Sequence, residues 1–113
     1  MNKHTVGISQ YPVEVGKYAI YPGDKGVEYL ILGLCSEAGE IAGKYKKVIR
    51  DQQGDVSNEA REAMADEVGD VLWYVTMLAM ELGFTLDQIA DRNASKLRSR
   101  HERGKLGGDG DSR

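Results

Sequence analysis

Two pairs of acids, Glu37-x-x-Glu40 and Glu67-x-x-Asp70, are the residues in this chain whose types and spacing could do chemistry. On an α-helix, residues three apart lie on one face and can address the same point. Two such helices packed side by side would gather four carboxylates in a small volume. Like charges at that density repel, and burying them is costly unless something positive sits among them. A divalent cation held by hard oxygen ligands is the simplest such partner. Only His4 and His101 offer an imidazole, neither near a pair, and Cys35 is the single thiol. Zinc, which favours nitrogen and sulfur, is therefore disfavoured. So are the di-iron helix bundles, whose Glu-x-x-His pattern is missing. Mg²⁺ suits an all-carboxylate set, with Mn²⁺ as its usual substitute. Mg²⁺ sites of this kind keep several waters and are completed by substrate phosphates, so the pattern points to phosphate chemistry. No GxxxxGK[ST] loop is present, which leaves metal and side chains to hold a nucleotide. The plain alternative is that all four acids face water, as charged pairs at this spacing commonly do.

The elements that must position these acids are helices. From about residue 25 to about residue 50, Val27, Leu30, Ile31, Leu34, Ala38, Ile41, Tyr45 and Val48 recur at three-four spacing. With about 100° of turn per residue, Glu37 falls inside that apolar stripe and Glu40 on its shoulder. A carboxylate in phase with a core demands a partner. Lys44 and Lys47 continue the same side. Asp51-Gln52-Gln53-Gly54-Asp55 reads as a polar linker, and Ser57 or Asn58 as the cap of a second helix running from about residue 59 to 82 and stopping at Gly83. A short linker makes the two helices antiparallel neighbours. Ala38, Gly39 and Gly69, beside the acids, would let the backbones approach closely. Upstream, residues 7–18 form a short helix or turn, and Tyr21-Pro22-Gly23-Asp24 is a turn with Asp24 as the N-cap of the first long helix. Downstream, Thr85-Leu86-Asp87-Gln88 is a capping box that opens a third helix to about residue 103. No strand is predicted. The expected fold is all-α, a small four-helix-bundle-like domain over residues 1–104, with residues 105–113 a flexible, glycine-rich tail.

At 113 residues the chain supports one core, and its 41% hydrophobic and 29% charged content is ordinary for a globular protein. A formal net charge of -3 provides no basic field to attract nucleic acid. Cys35 cannot form an internal disulfide, which fits a reducing cytosol, and its place in a helical pattern predicts a packed small hydrophobe. Met1-Asn2-Lys3-His4 is not followed by an apolar signal segment, and no stretch is long enough to span a bilayer. The expectation is a soluble cytoplasmic protein with neither membrane nor nucleic acid as partner. Val71 to Met80 carries no charge, and a helix apolar nearly all round needs cover on more than one side. A domain this small hardly supplies it, which predicts a homo-oligomer, dimer or tetramer, with this helix at the interface.

Three stretches of the chain resemble the MazG-like nucleotide pyrophosphohydrolases. Leu32-Gly33-Leu34-Cys35-Ser36-Glu37-Ala38-Gly39-Glu40-Ile41-Ala42, followed by Lys46-Lys47-Val48-Ile49-Arg50-Asp51, is similar to their first signature. Glu67-Val68-Gly69-Asp70-Val71-Leu72-Trp73-Tyr74 is similar to their second, and Asn93-x-x-Lys96-Leu97-x-x-Arg100-x-x-Arg103-Gly104 to their closing motif. The resemblance implies a Mg²⁺-dependent enzyme that cleaves (deoxy)nucleoside triphosphates between the α and β phosphates, giving nucleoside monophosphate and pyrophosphate. It implies Glu37, Glu40, Glu67 and Asp70 as metal ligands, with Glu40 a candidate to help activate the attacking water. Asn93 and Lys96 would contact the phosphates, helped by Lys47, Arg50 and Arg103. Tyr74 and Trp73 are candidates to touch the nucleotide, with burial the competing role for Trp73. One departure is Ser36, where many members carry a second acid, so a fifth carboxylate is missing. Two rivals stand beside this reading: a phosphoribosyl-ATP pyrophosphohydrolase-like activity, and a non-catalytic helical module whose acids bind a structural ion or a basic partner.

Overall fold

The computed structural model describes residues 5–111, among which there are four α-helices and no strand. His4 lies outside the described residues. Helix α1 is Tyr11–Gly16, α2 is Gly26–Gln52, α3 is Asn58–Glu81 and α4 is Leu86–Glu102.

Local chemistry explains the helix ends. Pro12 sits in the first turn of α1, where its missing N–H costs nothing. Asp24 is not the N-cap of α2. Extended Pro22 starts a 3₁₀ turn over Gly23–Lys25, in which the Lys25 N–H donates to the Pro22 carbonyl, so Asp24 is already inside a turn when α2 begins. Lys25 then occupies the cap position without a side-chain capping bond. Helix α2 runs on into the expected linker and stops where Gln53 turns left-handed, at φ 57°, followed by Gly54 at φ 80°. Ser57 caps α3, its hydroxyl oxygen accepting the Ala60 N–H at 3.1 Å. The Thr85–Gln88 capping box is formed in both directions, at 2.9 and 3.1 Å.

Helices α2 and α3 make the principal packing, and α1 and α4 each lean on α3. Gly26 lies against Glu81, Gly33 against Tyr74, and Lys44 against Glu67. One number rises as the other falls, so the pair is an antiparallel hairpin. The covered seam of α2 is narrower than the full apolar stripe: Leu30, Leu34, Glu37, Ile41, Lys44 and Val48 are buried or half-buried, whereas Val27, Ile31 and Tyr45 are exposed. That four-three alternation is the spacing with which one helix meets another lengthwise. Cys35, one step off the seam, is exposed rather than packed. The closest backbone approach is at Gly33, where a Cβ would run into the Tyr74 ring. At Gly39 and Gly69, by contrast, a Cβ would meet nothing within 4 Å, so the glycines beside the acids do not serve close packing in the single chain. Trp73 ties α1 down by donating its indole N–H to the Val15 carbonyl at 3.2 Å.

The fully covered core is small: Leu30, Val48, Met77 and Ala79, with Thr76 and Arg100 the buried polar residues. Thr76 is satisfied by its own helix, the hydroxyl donating to the Leu72 carbonyl at 2.7 Å. Within the uncharged run of α3, only Thr76, Met77 and Ala79 are buried. Among the described residues, no helix is long and apolar enough to cross a membrane. The tail beyond α4 forms no regular element through Asp111, yet it is not free, because Asp111 reaches back to Lys96 and Arg100.

Candidate metal centre

The α2 seam carries Glu37, the facing seam of α3 carries Glu67, and Asp70 follows Glu67 after almost one turn. Antiparallel packing brings one carboxylate oxygen from each to within 4.8 Å of the other two. Glu37 and Glu67 are half-buried and Asp70 is exposed, so the cluster is built into the helix contact on one side and open to solvent on the other. Burial pushes the Glu37 carboxyl above its ordinary range. A hydrogen bond shared with Glu67 and the charges of Asp70, Glu67 and Glu40 push it the same way. Lys44, also in the α2 seam, holds its ammonium 3.6 Å from Glu67. At that distance it is an ion pair rather than a short hydrogen bond. One ammonium does not neutralise three converging carboxylates. A hard oxygen set with surplus negative charge, open to solvent on one side, fits a divalent cation of the Mg²⁺ or Mn²⁺ type.

Glu40 stands outside this group of three. It is exposed, nearly one turn along α2, and acts on the cluster through its charge on Glu37. Tyr74 borders the cluster from α3: burial raises its hydroxyl pKa, and Tyr29, Glu37 and Asp70 add to the effect. Its ring continues into a row of aromatics, 6.5 Å from Tyr29, which stacks at 5.3 Å on Tyr21. Tyr11, on α1, is a neighbour that the sequence reading misses. Burial raises its hydroxyl pKa and the Asp70 charge adds to it. Nothing in the spacing around Tyr11 announces this, because its approach depends on α1 docking against α3 through Trp73. Trp73 itself meets Tyr74 edge-on at 5.0 Å, and with its N–H committed to Val15 it serves as an anchor for α1.

The partners seen for the expected phosphate contacts lie away from the acidic cluster. Arg50 forms a two-pronged pair with Asp51, at 2.7 and 2.8 Å, and Lys47 adds its charge to the depression of the Asp51 pKa. Arg103 donates from Nε to the Ser99 hydroxyl at 3.0 Å. Asn93 and Lys96 line a depression of about 540 Å³ with Ile89 and Arg92 on α4. Helix α4 packs on α3, its first turns sharing apolar hollows with the last turns of α3 at Thr76, Leu78 and Met80, and Ile89 lines one of these hollows together with Leu34 of α2. Among the described residues, no ion pair or shared hollow joins Asn93 or Lys96 to the acidic cluster.

A long antiparallel helix hairpin with a carboxylate cluster across its seam defines an all-α class of protein, and comparison with known proteins names the family. Residues 25–104 match the MazG nucleotide pyrophosphohydrolase domain. The Gene 37 protein of Mycobacterium phage L5 is 43% identical over 109 residues, covering 91% of this chain and 96% of that protein. No solved structure matches the chain. The chain belongs to the MazG nucleotide pyrophosphohydrolase family.

Proposed function

We propose that this protein hydrolyses (deoxy)nucleoside triphosphates to nucleoside monophosphate and pyrophosphate in a Mg²⁺-dependent reaction that cleans the nucleotide pool. The observation that carries this reading is the convergence of Glu37, Glu67 and Asp70 from two helices, in a chain of this family. Glu37, Glu67 and Asp70 would hold the cation, with Glu40 as the fourth carboxylate. Bound there, a divalent ion lowers the pKa of an attacking water and offsets the charge that builds on phosphate oxygens.

The chain's own residues supply the rest. Glu40, exposed one turn along α2 from Glu37, is the candidate to accept a proton from the attacking water. Lys44 pairs with Glu67 and orients it. Tyr11 and Tyr74 border the cluster, and Tyr74, in a row with Tyr29 and Tyr21, is the candidate to touch the nucleotide, with Trp73 beside it. Asn93, Lys96, Lys47, Arg50 and Arg103 are the candidates to meet the phosphates. That no ion pair or shared hollow joins Asn93 or Lys96 to the acids among the described residues supports a homo-oligomer, dimer or tetramer, in which a partner chain's α4 supplies that face.

The test is pyrophosphate release from the eight common ribo- and deoxynucleoside triphosphates, with Mg²⁺ or with excess EDTA. Metal-dependent release with monophosphate as co-product is the expected result and names the substrate. Folded protein silent on the panel but active on phosphoribosyl-ATP would move the assignment to that reaction. Silence on both, with EDTA lowering thermal stability, would leave a structural ion in a binding module.

A further inference from the structure

The C-terminal tail makes a contact that the hydrolytic reading does not use. Beyond α4 the chain reverses through glycines in the left-handed region, Gly104 at φ 68°, Gly108 at φ 99° and Gly110 at φ 79°. The Lys105 N–H closes on the Arg100 carbonyl at 2.6 Å. Asp111 then lies against α4, where the Arg100 Nη2 donates to its main-chain carbonyl at 2.8 Å and to its carboxylate at 3.1 Å. The same carboxylate oxygen is 3.2 Å from the Lys96 ammonium. Lys96 and Arg100, four residues apart, share one face of the helix and so address one anion.

Two features show that Asp111 fills this place incompletely. Arg100 is only 5% exposed, yet its Nε is buried with no hydrogen-bond partner. A guanidinium offers a planar fork suited to two acceptor oxygens at once, and an unmet buried donor is costly. Meanwhile the Asp111 side chain is 85% exposed, so a competing anion can reach it from solvent. A terminal phosphate carries three acceptor oxygens, enough for the Arg100 fork and the Lys96 ammonium together.

We propose that Asp111 occupies the Lys96–Arg100 pair from within the same chain until a phosphate-bearing ligand displaces it, so that the tail regulates access to a pair whose Lys96 the hydrolytic reading already assigns to phosphate. The site opens beside the depression lined by Arg92, Asn93 and Lys96, so one ligand can touch both. The tail is thereby a built-in competitor. Hydrogen bonds from Arg100 and Lys96 hold the Asp111 carboxyl below the usual range, so it stays charged through the neutral range and leaves by competition rather than by protonation. This inference rests on the hydrolytic reading only in taking Lys96 as a phosphate contact.

The experiment is calorimetric titration of inorganic pyrophosphate into the full chain in EDTA, which needs neither metal nor turnover. Asp111→Asn should bind about threefold to tenfold more tightly than the wild type. Asp109→Asn removes the same charge two residues away and should bind as the wild type does. In a Lys96→Gln background the gain from Asp111→Asn should vanish. Equal affinity of wild type and Asp111→Asn, an equal gain from Asp109→Asn, or no pyrophosphate binding by any form at millimolar concentration would each overturn the proposal. A silent triphosphate panel alongside a tightened Asp111→Asn would remove the hydrolytic reading and leave this one standing.

Discussion

Glu37 is the residue on which sequence and site meet, because it occupies a seam position that would ordinarily be apolar. Burial, Glu67, Asp70 and Glu40 all disfavour its charge. A carboxyl whose pKa is raised by folding favours the folded state when protonated. That contribution is complete below the unfolded pKa and is lost as pH rises through the raised value. Metal-free protein in EDTA should therefore gain thermal stability as pH is lowered from about 7 toward about 5, before general acid unfolding sets in. Differential scanning calorimetry checks this, and Glu37→Gln should flatten the trend. Protons and cation compete for the same oxygens, so the rise in Tm on adding Mg²⁺ should be larger at pH 7 than at pH 5. For catalysis, Glu67→Gln and Asp70→Asn should each lower kcat on the order of a hundredfold or more, with helical circular dichroism retained. Glu40→Gln should also lower kcat sharply, but with a smaller loss of Mg²⁺ affinity than Glu67→Gln, because Glu40 stands outside the three converging oxygens. A Glu40→Gln and Asp70→Asn double variant turning over at the wild-type rate would end the assignment.

The hairpin of α2 and α3 sets the distance between the two acidic pairs, and Gly33 sets the hairpin. The Tyr74 ring occupies the space where a Cβ would sit at Gly33, one turn from both Glu37 and Asp70. Gly33→Ala should cost about 1–3 kcal/mol in urea denaturation, as overpacking does, and should disturb metal affinity through displacement of Tyr74. Gly39, in the same helix, has open space around it. Gly39→Ala should instead add roughly 0.5–1 kcal/mol by restricting the unfolded chain. The contrast separates a packing glycine from one whose neighbourhood is free, and equal effects at the two positions would contradict the contact.

At the scale of the molecule the single chain is unusually open. Its radius of gyration is 17.2 Å, against about 13 Å for a compact domain of this length. Its accessible surface of 8478 Å² exceeds by about a third the area of about 6,200 Å² that its mass predicts. Leu32 is 70% exposed, and Ile31, Ile49, Val68 and Leu97 are exposed with it. Light scattering after size exclusion should accordingly return two or four times the 12.5 kDa chain mass. Leu32→Asp should shift that mass downward and take turnover with it. A wild-type monomer at micromolar concentration would remove the oligomer, and with it a partner chain's α4 as the source of the phosphate contacts.

The sequence by itself determined the helices and the acids. The periodic run from Leu30 to Val48, the Ser57 cap, the Gly83 stop and the Thr85–Gln88 box are local, each resting on residues within about one turn of one another, so they could be read in one dimension. Glu37 in phase with a core stripe was legible for the same reason. Only the tertiary structure decided which part of that stripe is covered, leaving Cys35 and Ile31 outside and admitting Lys44. It alone placed the close approach at Gly33 instead of Gly39, brought Tyr11 to Asp70, and folded Asp111 onto Arg100. These pairings join separate elements or cross a chain reversal. They depend on how each helix is rotated about its axis and on where α1 and the tail come to rest, and a repeat of three or four residues carries no information about either.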